Sequence, residues 1–416
     1  MMTPDISTLQ EVVKRLQIET HFYIEKAKSS TSSYFNATAQ VCTDIESIYG
    51  FGAGNSEDIA MQRAVMECVE RYAQFQPNVS TPTIIQSYAS LQENAILPTA
   101  CGLYSHAQYT ASDFKCVPFS EQMPLQWLEV SEVATNNTKL IPIEFIYPRA
   151  YLNRSPIVIE TSSGTAAHFH KDTAILLAIC EVIERDSLMF FWYRQPPTAT
   201  ISIEVIPVYT LRQELRKIQN LGFVVTVCYL TYDLDIPCFL VIALKGNSFI
   251  YGLGCHPDWF HALSHAVVEL SQSLFSQRRT PPWELKHQSL PQVKTPEDHY
   301  ALYNKGFLNP VLRQFLAQVL HSQKPQDSSI LFQQHFNEKE YLNHILQTLG
   351  KLGYRIYICD ITPQNLADSG IHVIRTLIPG LIPIHFGYNS LRMGCRRLWS
   401  NNYSGRLSTL LPHFMH

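Results

Sequence analysis

"AICEVIERDSLMFFWY", residues 178–193, decides how this chain is read. Ala178, Ile179, Val182, Ile183, Leu188, Met189, Phe190, Phe191 and Trp192 place apolar groups on nearly every side of a helix, and a helix that is apolar all round is a buried one. Glu181, Glu184 and Arg185 nevertheless stand among them. Desolvating an ionised carboxylate costs several kcal/mol unless something compensates it, so this helix must meet a counter-charge.

The rest of the chain has the material to bury such a helix. Of 416 residues 46% are hydrophobic and only 16% charged, against a usual charged share of about 25%, which supplies a large core. The formal net charge of −3 leaves no global basic field, so neither nucleic acid nor an anionic membrane is expected as a partner. The opening "MMTPDISTLQEVVKRLQ" lacks a signal-peptide core, and no later run reaches the ~18 uninterrupted apolar residues of a membrane span. A cytoplasmic protein is expected. Its ten cysteines form no Cys-x-x-Cys pair and read as reduced and mostly buried, with no zinc ribbon or redox dithiol.

Helical and extended patterns alternate along the sequence. A helical period over Leu9–Leu16 is followed by a polar connection "SSTSSYFNATAQ". A Gly-rich turn "YGFGAGNS" (49–56) then opens a helix over about 57–74, with Ser56 as N-cap and Glu57 and Asp58 in the first turn. Short extended runs, "TPTIIQSY" and "KLIPIEFIY", precede a second turn, "ETSSGTAAHFHKD" (160–172), and the helix quoted above. Residues 207–221 pattern as an amphipathic helix. "GFVVTVCYL", "CFLVIAL" and "SFIYGLG" are β-rich runs, and "DWFHALSHAVVELSQSLFSQ" is helical. The tail carries a helix at "EYLNHILQTLGKLG", strands at "YRIYICDI" and "HVIRTLI", and a short final helix around Ser390–Trp399. This alternation predicts an α/β (α+β) protein with mixed sheets covered by helices. No clean linker interrupts it, so one extended domain is expected, with an entry segment 1–48, a core 49–285 and a C-terminal part 286–416.

"AVMECVERYAQF" (64–75) echoes "AICEVIERDSLMFF" (178–191): apolar, apolar, Glu-x-x-Glu-Arg, then aromatics. The 114-residue spacing is too long for a solenoid and predicts two related halves, or two helices facing one site. Glu67 with Glu70 and Glu181 with Glu184 are i,i+3 pairs that project from one face of each helix. Arg71 and Arg185 neutralise one charge per helix. A divalent cation is the natural counter-ion for the remainder, and carboxylate oxygens suit Mg²⁺, a hard ion usually completed by water and phosphate oxygens. The alternative is a buried Glu–Arg structural network.

The two Glu-x-x-Glu-Arg helices, the second preceded by "SSGTAAH" and carrying "EVIERD", together with the tail "VIRTLIPGLIPIHFGYNSLRMGCRRL" (373–398), resemble the YcaO family over essentially the whole chain. The resemblance implies that Glu67, Glu70, Glu181 and Glu184 are metal ligands and that Arg185 contacts the nucleotide. It adds a late arginine that reaches the triphosphate, placed here at Arg278 or Arg279. The cofactors implied are ATP and Mg²⁺, and the chemistry is ATP-dependent activation of a peptide amide. A Cys, Ser or Thr side chain attacks the preceding carbonyl, ATP phosphorylates the oxygen, and phosphate leaves a thiazoline or oxazoline. No protein nucleophile is required, in keeping with the absence of a Ser-His-Asp or Cys-His pattern. Positions where the family often carries Asn, Glu and Gln fall on Phe169, Thr173 and Leu177, and a commonly small hydroxyl position falls on Arg63. The family's proline-rich tail is represented here by "LLPHFMH", with Pro412 alone.

Other candidates carry less. "GFGAGNS" lacks both the Gly-x-Gly-x-x-Gly spacing and a Walker lysine and reads as a plain turn. His261, His265 and Glu269 share a helical face at i, i+4 and i+8 without the His-Glu-x-x-His signature of zinc enzymes. His168 and His170 flank the second turn and read as locally hydrogen-bonded. The resulting expectation is a YcaO-type ATP-dependent peptide cyclodehydratase subunit working with a precursor peptide. A separate leader-peptide-binding partner is also expected, since no room for that domain precedes residue 57; a homodimer is compatible. Alternatives are a thioamide- or amidine-forming enzyme on the same scaffold, and a non-catalytic scaffold or peptide-binding subunit.

Overall fold

The computed structural model describes residues 6–16, 33–43, 47–75, 82–148, 154–279, 289–321, 340–399 and 409–415. Helices of two turns or more are α1 (Ile6–Leu16), α2 (Glu57–Phe75), α3 (Lys171–Arg194), α4 (Tyr209–Asn220), α5 (Trp259–Arg279), α6 (Pro296–Tyr303), α7 (Asn309–His321) and α8 (Tyr341–Lys351). The strands are β1 (Phe35–Cys42), β2 (Ser47–Gly54), β3 (Thr83–Ser87), β4 (Pro124–Glu132), β5 (Thr138–Pro142), β6 (Thr165–His168), β7 (Ala199–Ile201), β8 (Val224–Tyr229), β9 (Cys238–Lys245), β10 (Ser248–Cys255), β11 (Tyr357–Asp360) and β12 (His372–Leu377). They form a β1–β2 hairpin, a four-stranded sheet β10-β9-β8-β7, and a larger sheet β3-β4-β11-β12-β6 with β5 alongside β4. Every strand-to-strand pairing between these named strands is antiparallel.

Helix α3 explains its own composition. One side packs on β12 and β6, through Ile374 and Ala166, and the other on the four-stranded sheet, through Leu240, Ile242, Tyr251 and Leu253, all in one buried cluster with Ile179, Ile183, Phe190 and Phe191. The opposite face of the four-stranded sheet carries α4 and α5, through Val227, Phe239, Val241 and Ile250. The helix stops where Gln195 turns left-handed at φ 49° and Pro196 and Pro197 cannot continue it. α2 and its hairpin seal the far face of the larger sheet, with Ala167, Val373, Trp127 and Tyr357 in their cluster.

Several sequence expectations are corrected. "SSTSSYFNATAQ" is no simple connection: Phe35–Cys42 is strand β1. "YGFGAGNS" is not a turn but most of β2, paired residue for residue with β1. A Cβ on Gly50 would stand 2.2 Å from the Ala64 carbonyl oxygen, and one on Gly52 2.1 Å from that of Ala60. These glycines are therefore demanded by a strand lying directly on a helix. The "ETSSGTAAHFHKD" turn contains strand β6. Extended "KLIPIEFIY" gives way to a 3₁₀ turn at Ile143–Phe145, and the final helix is only a 3₁₀ turn, Arg396–Trp399. The ten cysteines are free thiols; nine are buried and Cys42 is exposed.

Candidate active site

The hairpin–helix unit recurs, but not where the Glu-x-x-Glu-Arg echo suggested. Tyr49-Gly50-Phe51-Gly52 on β2 and Ala64-Val65-Met66-Glu67 on α2 reappear, shifted by 202 residues, as Tyr251-Gly252-Leu253-Gly254 on β10 and Ala266-Val267-Val268-Glu269 on α5. The packing repeats as well. Cβ atoms on Gly252 and Gly254 would stand 2.1 Å from the Ala266 carbonyl oxygen and 2.0 Å from that of Ala262. The Phe51 N–H donates to Glu67 at 2.7 Å and the Leu253 N–H to Glu269 at 2.9 Å. Arg71 donates to the Tyr49 carbonyl at 2.8 Å and Ser273 to that of Tyr251 at 2.8 Å. α2 and α3 belong to different units, and both pack on β6.

Each carboxylate named from sequence is held by the protein. Glu67 accepts from Arg71 at 2.5 Å besides the Phe51 N–H. Glu70 accepts from the Ala167 N–H of β6 at 2.8 Å. Glu181 accepts from the Gly164 N–H at 3.0 Å and from Arg185 at 3.2 Å, and Glu184 pairs with Arg185 at 3.0 Å. Glu184 is buried while Glu67, Glu70 and Glu181 are half-buried.

Burial is the largest influence on these groups, and mutual repulsion adds to it. Desolvation raises Glu67, opposed by Arg71 and the Phe51 N–H and reinforced by Glu269 and Glu181. Glu70 is raised well above the usual carboxylate range by burial, with Glu181 and Glu67 adding to the shift. Glu184 is pushed up to about 7 by burial, with Arg185 opposing and Glu269 and Glu181 reinforcing. For Arg185 burial works against the charge, but Glu184 and Glu181 outweigh it and raise the guanidinium's pKa. Carboxylates from α2, α3 and α5 thus sense one another, and the paired cations Arg71 and Arg185 do not balance them.

Glu269 is the carboxylate that sequence reasoning assigned elsewhere. The zinc arrangement does not form: His265 lies 3.8 Å from Glu269 and within hydrogen-bond distance, 3.2 Å, of the Leu253 carbonyl, and among the described residues no three His, Cys, Asp or Glu side chains are grouped to hold a metal ion. The tail is a second surprise. Residues 409–415 return to the core, with Trp192 donating to the Leu411 carbonyl at 2.9 Å and His413, Phe414 and Met415 buried. Arg185 reaches the Met415 thioether at 3.2 Å.

The remaining candidates fall away from the cluster or outside it. Thr173 and Leu177 precede Glu181 along the same stripe of α3, Leu177 exposed, and Phe169 packs against the α2 cluster. Arg63 donates to the Ala53 carbonyl at 2.7 Å. His168 accepts from the His170 N–H at 2.9 Å, the local bond expected. The side chains of Arg278 and Arg279, at the end of α5, lie outside the described residues.

The donor chemistry suits Mg²⁺, although among the described residues these side chains are not drawn together as three ligands of one ion. The set consists of hard carboxylate oxygens in excess over their cations, in a partly buried setting that penalises the uncompensated charge. Mg²⁺ is normally held by one or two carboxylates with water and phosphate oxygens, so a closed protein cage is not needed.

Comparison with known proteins gives the chain's family and fold. Residues 51–382 match the family described as YcaO cyclodehydratase, ATP- and Mg²⁺-binding. A curated relative, the "Uncharacterized protein in tfuA 3'region" of Rhizobium leguminosarum bv. trifolii, is 25% identical over 242 residues, 53% of this chain and 54% of its own length. Among solved structures, a heterocyclase in complex with substrate and cofactor superposes with a TM-score of 0.71 at 19% identity, covering 90% of this chain and 52% of that one. The chain thus spans about half the length of both. YcaO from Methanopyrus kandleri bound with AMPPCP and Mg²⁺ gives a TM-score of 0.60 at 17% identity and 90% coverage of each chain. The E. coli microcin synthetase McbBCD complex with pro-MccB17 bound gives 0.59 at 15% and 88% of each. With its carboxylate-bearing helices and four-fifths of its length inside the matched region, this chain belongs to the YcaO cyclodehydratase family, an ATP- and Mg²⁺-binding family.

Proposed function

We propose that the chain is the ATP-dependent subunit of a peptide cyclodehydratase, forming thiazoline or oxazoline rings at Cys, Ser or Thr of a ribosomally made precursor peptide. The observation that carries this reading is that Arg185 pairs with Glu181 and Glu184 and feels Glu269 as well, while Glu67, from a third helix, is repelled by Glu181 and Glu269. Glu67, Glu70, Glu181 and Glu184, with Glu269, are the proposed metal-holding groups, and Arg185 the proposed phosphate contact. Mg²⁺, when bound, supplies the neutralising charge for the phosphates.

The chemistry balances without a protein nucleophile. The substrate's thiol or hydroxyl adds to the preceding carbonyl carbon and loses its proton, and the new oxyanion takes the terminal phosphoryl of ATP, releasing ADP. The amide nitrogen then loses its proton, the C–O bond breaks with phosphate as leaving group, and the C=N bond of the azoline forms. The protein's part is positioning and electrostatics. Arg185 is fixed on both sides by Glu181 and Glu184, so it is already oriented when phosphate arrives, and the buried helix behind it keeps water from competing for the phosphoryl group.

A separate leader-binding protein is the proposed partner, and the cytoplasm, where ATP is available, the proposed compartment. Among the described residues no helix is long and apolar enough to cross a membrane. The test is incubation with partner, ATP, Mg²⁺ and a Cys/Ser/Thr-rich precursor. Loss of one water per ring with matching ADP release, abolished in a folded Glu184→Gln variant, is the expected result. Exchange of oxygen for sulfur instead identifies a thioamide former, and no ATP turnover with the partner present identifies a scaffold.

A further inference from the structure

Arg375 is fully buried in β12, an expensive place for a guanidinium, and its bonds converge on one short segment. It donates to the carbonyls of Thr161, at 3.0 Å, and Ser163, lies 3.3 Å from the Thr165 hydroxyl, and reaches the Phe145 carbonyl at 3.3 Å. Residues 161–164 are the "TSSG" turn before β6. From the other side, Gln74 of α2 donates to the Ser162 carbonyl at 3.2 Å, and the Thr376 N–H donates to the Gly164 carbonyl at 2.7 Å. Gly164 has φ +82°, and a Cβ there would stand 2.7 Å from Val182 and 2.8 Å from the Thr376 carbonyl oxygen. The turn is pinned against β12 and α3, and its one outward product is the Gly164 N–H, which donates to Glu181.

We propose that Arg375 is a positioning residue of the active site: by gripping the 161–163 carbonyls it fixes the Gly164 N–H, which in turn fixes Glu181 beside Arg185. This rests on the reading of Glu181 as part of the metal and nucleotide site. Arg392 supplies an internal control. It is also fully buried and shares the carboxylate of Glu160 with Arg375, at 2.6 Å and 3.5 Å respectively. Its other contacts, however, go to the carbonyls of Gly102 and Ile159, not to the turn. The two arginines share one charged cluster, but only Arg375 bonds the turn, while Arg392 bonds elsewhere and lies over the Tyr104 ring.

The experiment compares Arg375→Lys with Arg392→Lys in the full chain. A lysine keeps the charge but cannot span several carbonyls. Two readouts are taken: amide hydrogen exchange at Gly164, and the Mg²⁺ concentration that half-saturates AMPPCP binding. In Arg375→Lys both are expected to rise about tenfold, the usual scale for groups that orient a metal ligand. In Arg392→Lys both stay within about twofold even where thermal stability falls as much. If Arg375→Lys does not fold, Thr165→Val, which removes one hydroxyl from the guanidinium's reach, is expected to raise Gly164 exchange about threefold, a bond of under 1 kcal/mol. Unchanged exchange, unchanged Mg²⁺ dependence, or equal effects of the two lysine variants overturns the proposal while leaving the nucleotide site intact. Absence of AMPPCP binding in the wild type overturns the site reading, and this role with it.

Discussion

Arg185 of α3 donates to the thioether of Met415, 230 residues further along the chain, at 3.2 Å. The same guanidinium holds Glu181 and Glu184, so a carboxylate pair read as a metal site shares its arginine with the chain's own tail. Met415→Leu keeps the volume and loses the acceptor. Folding stability is expected to change by less than ~1.5 kcal/mol and AMPPCP affinity by less than about threefold, since a thioether is a weak acceptor. Phe414→Ala, which opens the cavity behind the tail, is expected to cost about 3–5 kcal/mol. Chemical denaturation and calorimetry on both variants check the contrast.

Glu184→Gln is expected to stabilise the protein without metal and to abolish its Mg²⁺-nucleotide binding. Burial pushes the Glu184 carboxyl up to about 7, so holding it ionised above that pH costs stability on the order of 3 kcal/mol at most. Glutamine avoids that cost, although Arg185 loses one of two partners. A variant that is strongly destabilised at pH 8, or that still binds, contradicts the assignment.

The same shifts give a pH dependence to ligand stabilisation. Glu67, Glu70 and Glu184 are all raised above the usual carboxylate range by burial; Glu184, at about 7, takes up its proton as pH falls through that value, and a protonated carboxyl is a poor ligand. The rise in melting temperature produced by Mg²⁺ and AMPPCP should therefore be larger at pH 8 than at pH 5.5. Equal shifts at the two pH values would place these carboxylates outside the site.

Four buried histidines act in the opposite sense. Burial lowers His299 to about 4 and His256 to about 3, and holds His385 and His413 well below the ordinary range. A depressed histidine leaves stability intact above 6.5 and erodes it as pH falls toward the folded value, because the unfolded chain binds the proton first. The raised carboxyls Glu67, Glu70 and Glu184 oppose this loss, so stability falls below pH 6.5 by less than the four histidines alone would give. Urea midpoints at pH 7.5, 6 and 5 test this; a flat profile would refute it.

Gly52→Ala should be among the most destabilising small substitutions in the chain. The new methyl carbon would lie 2.1 Å from a backbone oxygen and 2.4 Å from the Ala64 nitrogen. Neither can rotate away, so a loss of about 3 kcal/mol or more is expected, with Gly254→Ala close behind. Gly246→Ala, in open space at φ +53°, should cost only about 1–2 kcal/mol through backbone strain alone.

What the sequence disclosed follows a physical division. Helix α3 was legible because being apolar on every side has one explanation, burial between two layers, and its carboxylates were legible because their desolvation must be compensated. β2 was misread because three glycines in six residues suggest a turn when seen locally. The reason for Gly50 and Gly52 lies in the carbonyls of Ala64 and Ala60, which only the folded helix brings close. Glu269 escaped for a related reason. Its helix lacks the Glu-x-x-Glu-Arg pattern, and the shared Tyr-Gly-x-Gly to Ala-Val-x-Glu spacing carries the signal instead. The role of Met415 had no sequence signal at all.

The bare contact of β2 with α2, and of β10 with α5, has a consequence for variation. Where backbone rests on backbone, the height of Glu67 and Glu269 above their strands is set by peptide geometry and not by any side chain in between. Neighbouring surface positions such as Tyr49, Phe51 and Leu177 can therefore diversify while the carboxylates stay at the same elevation. Such a scaffold can change the surface it offers to a partner molecule without shifting its buried acidic groups.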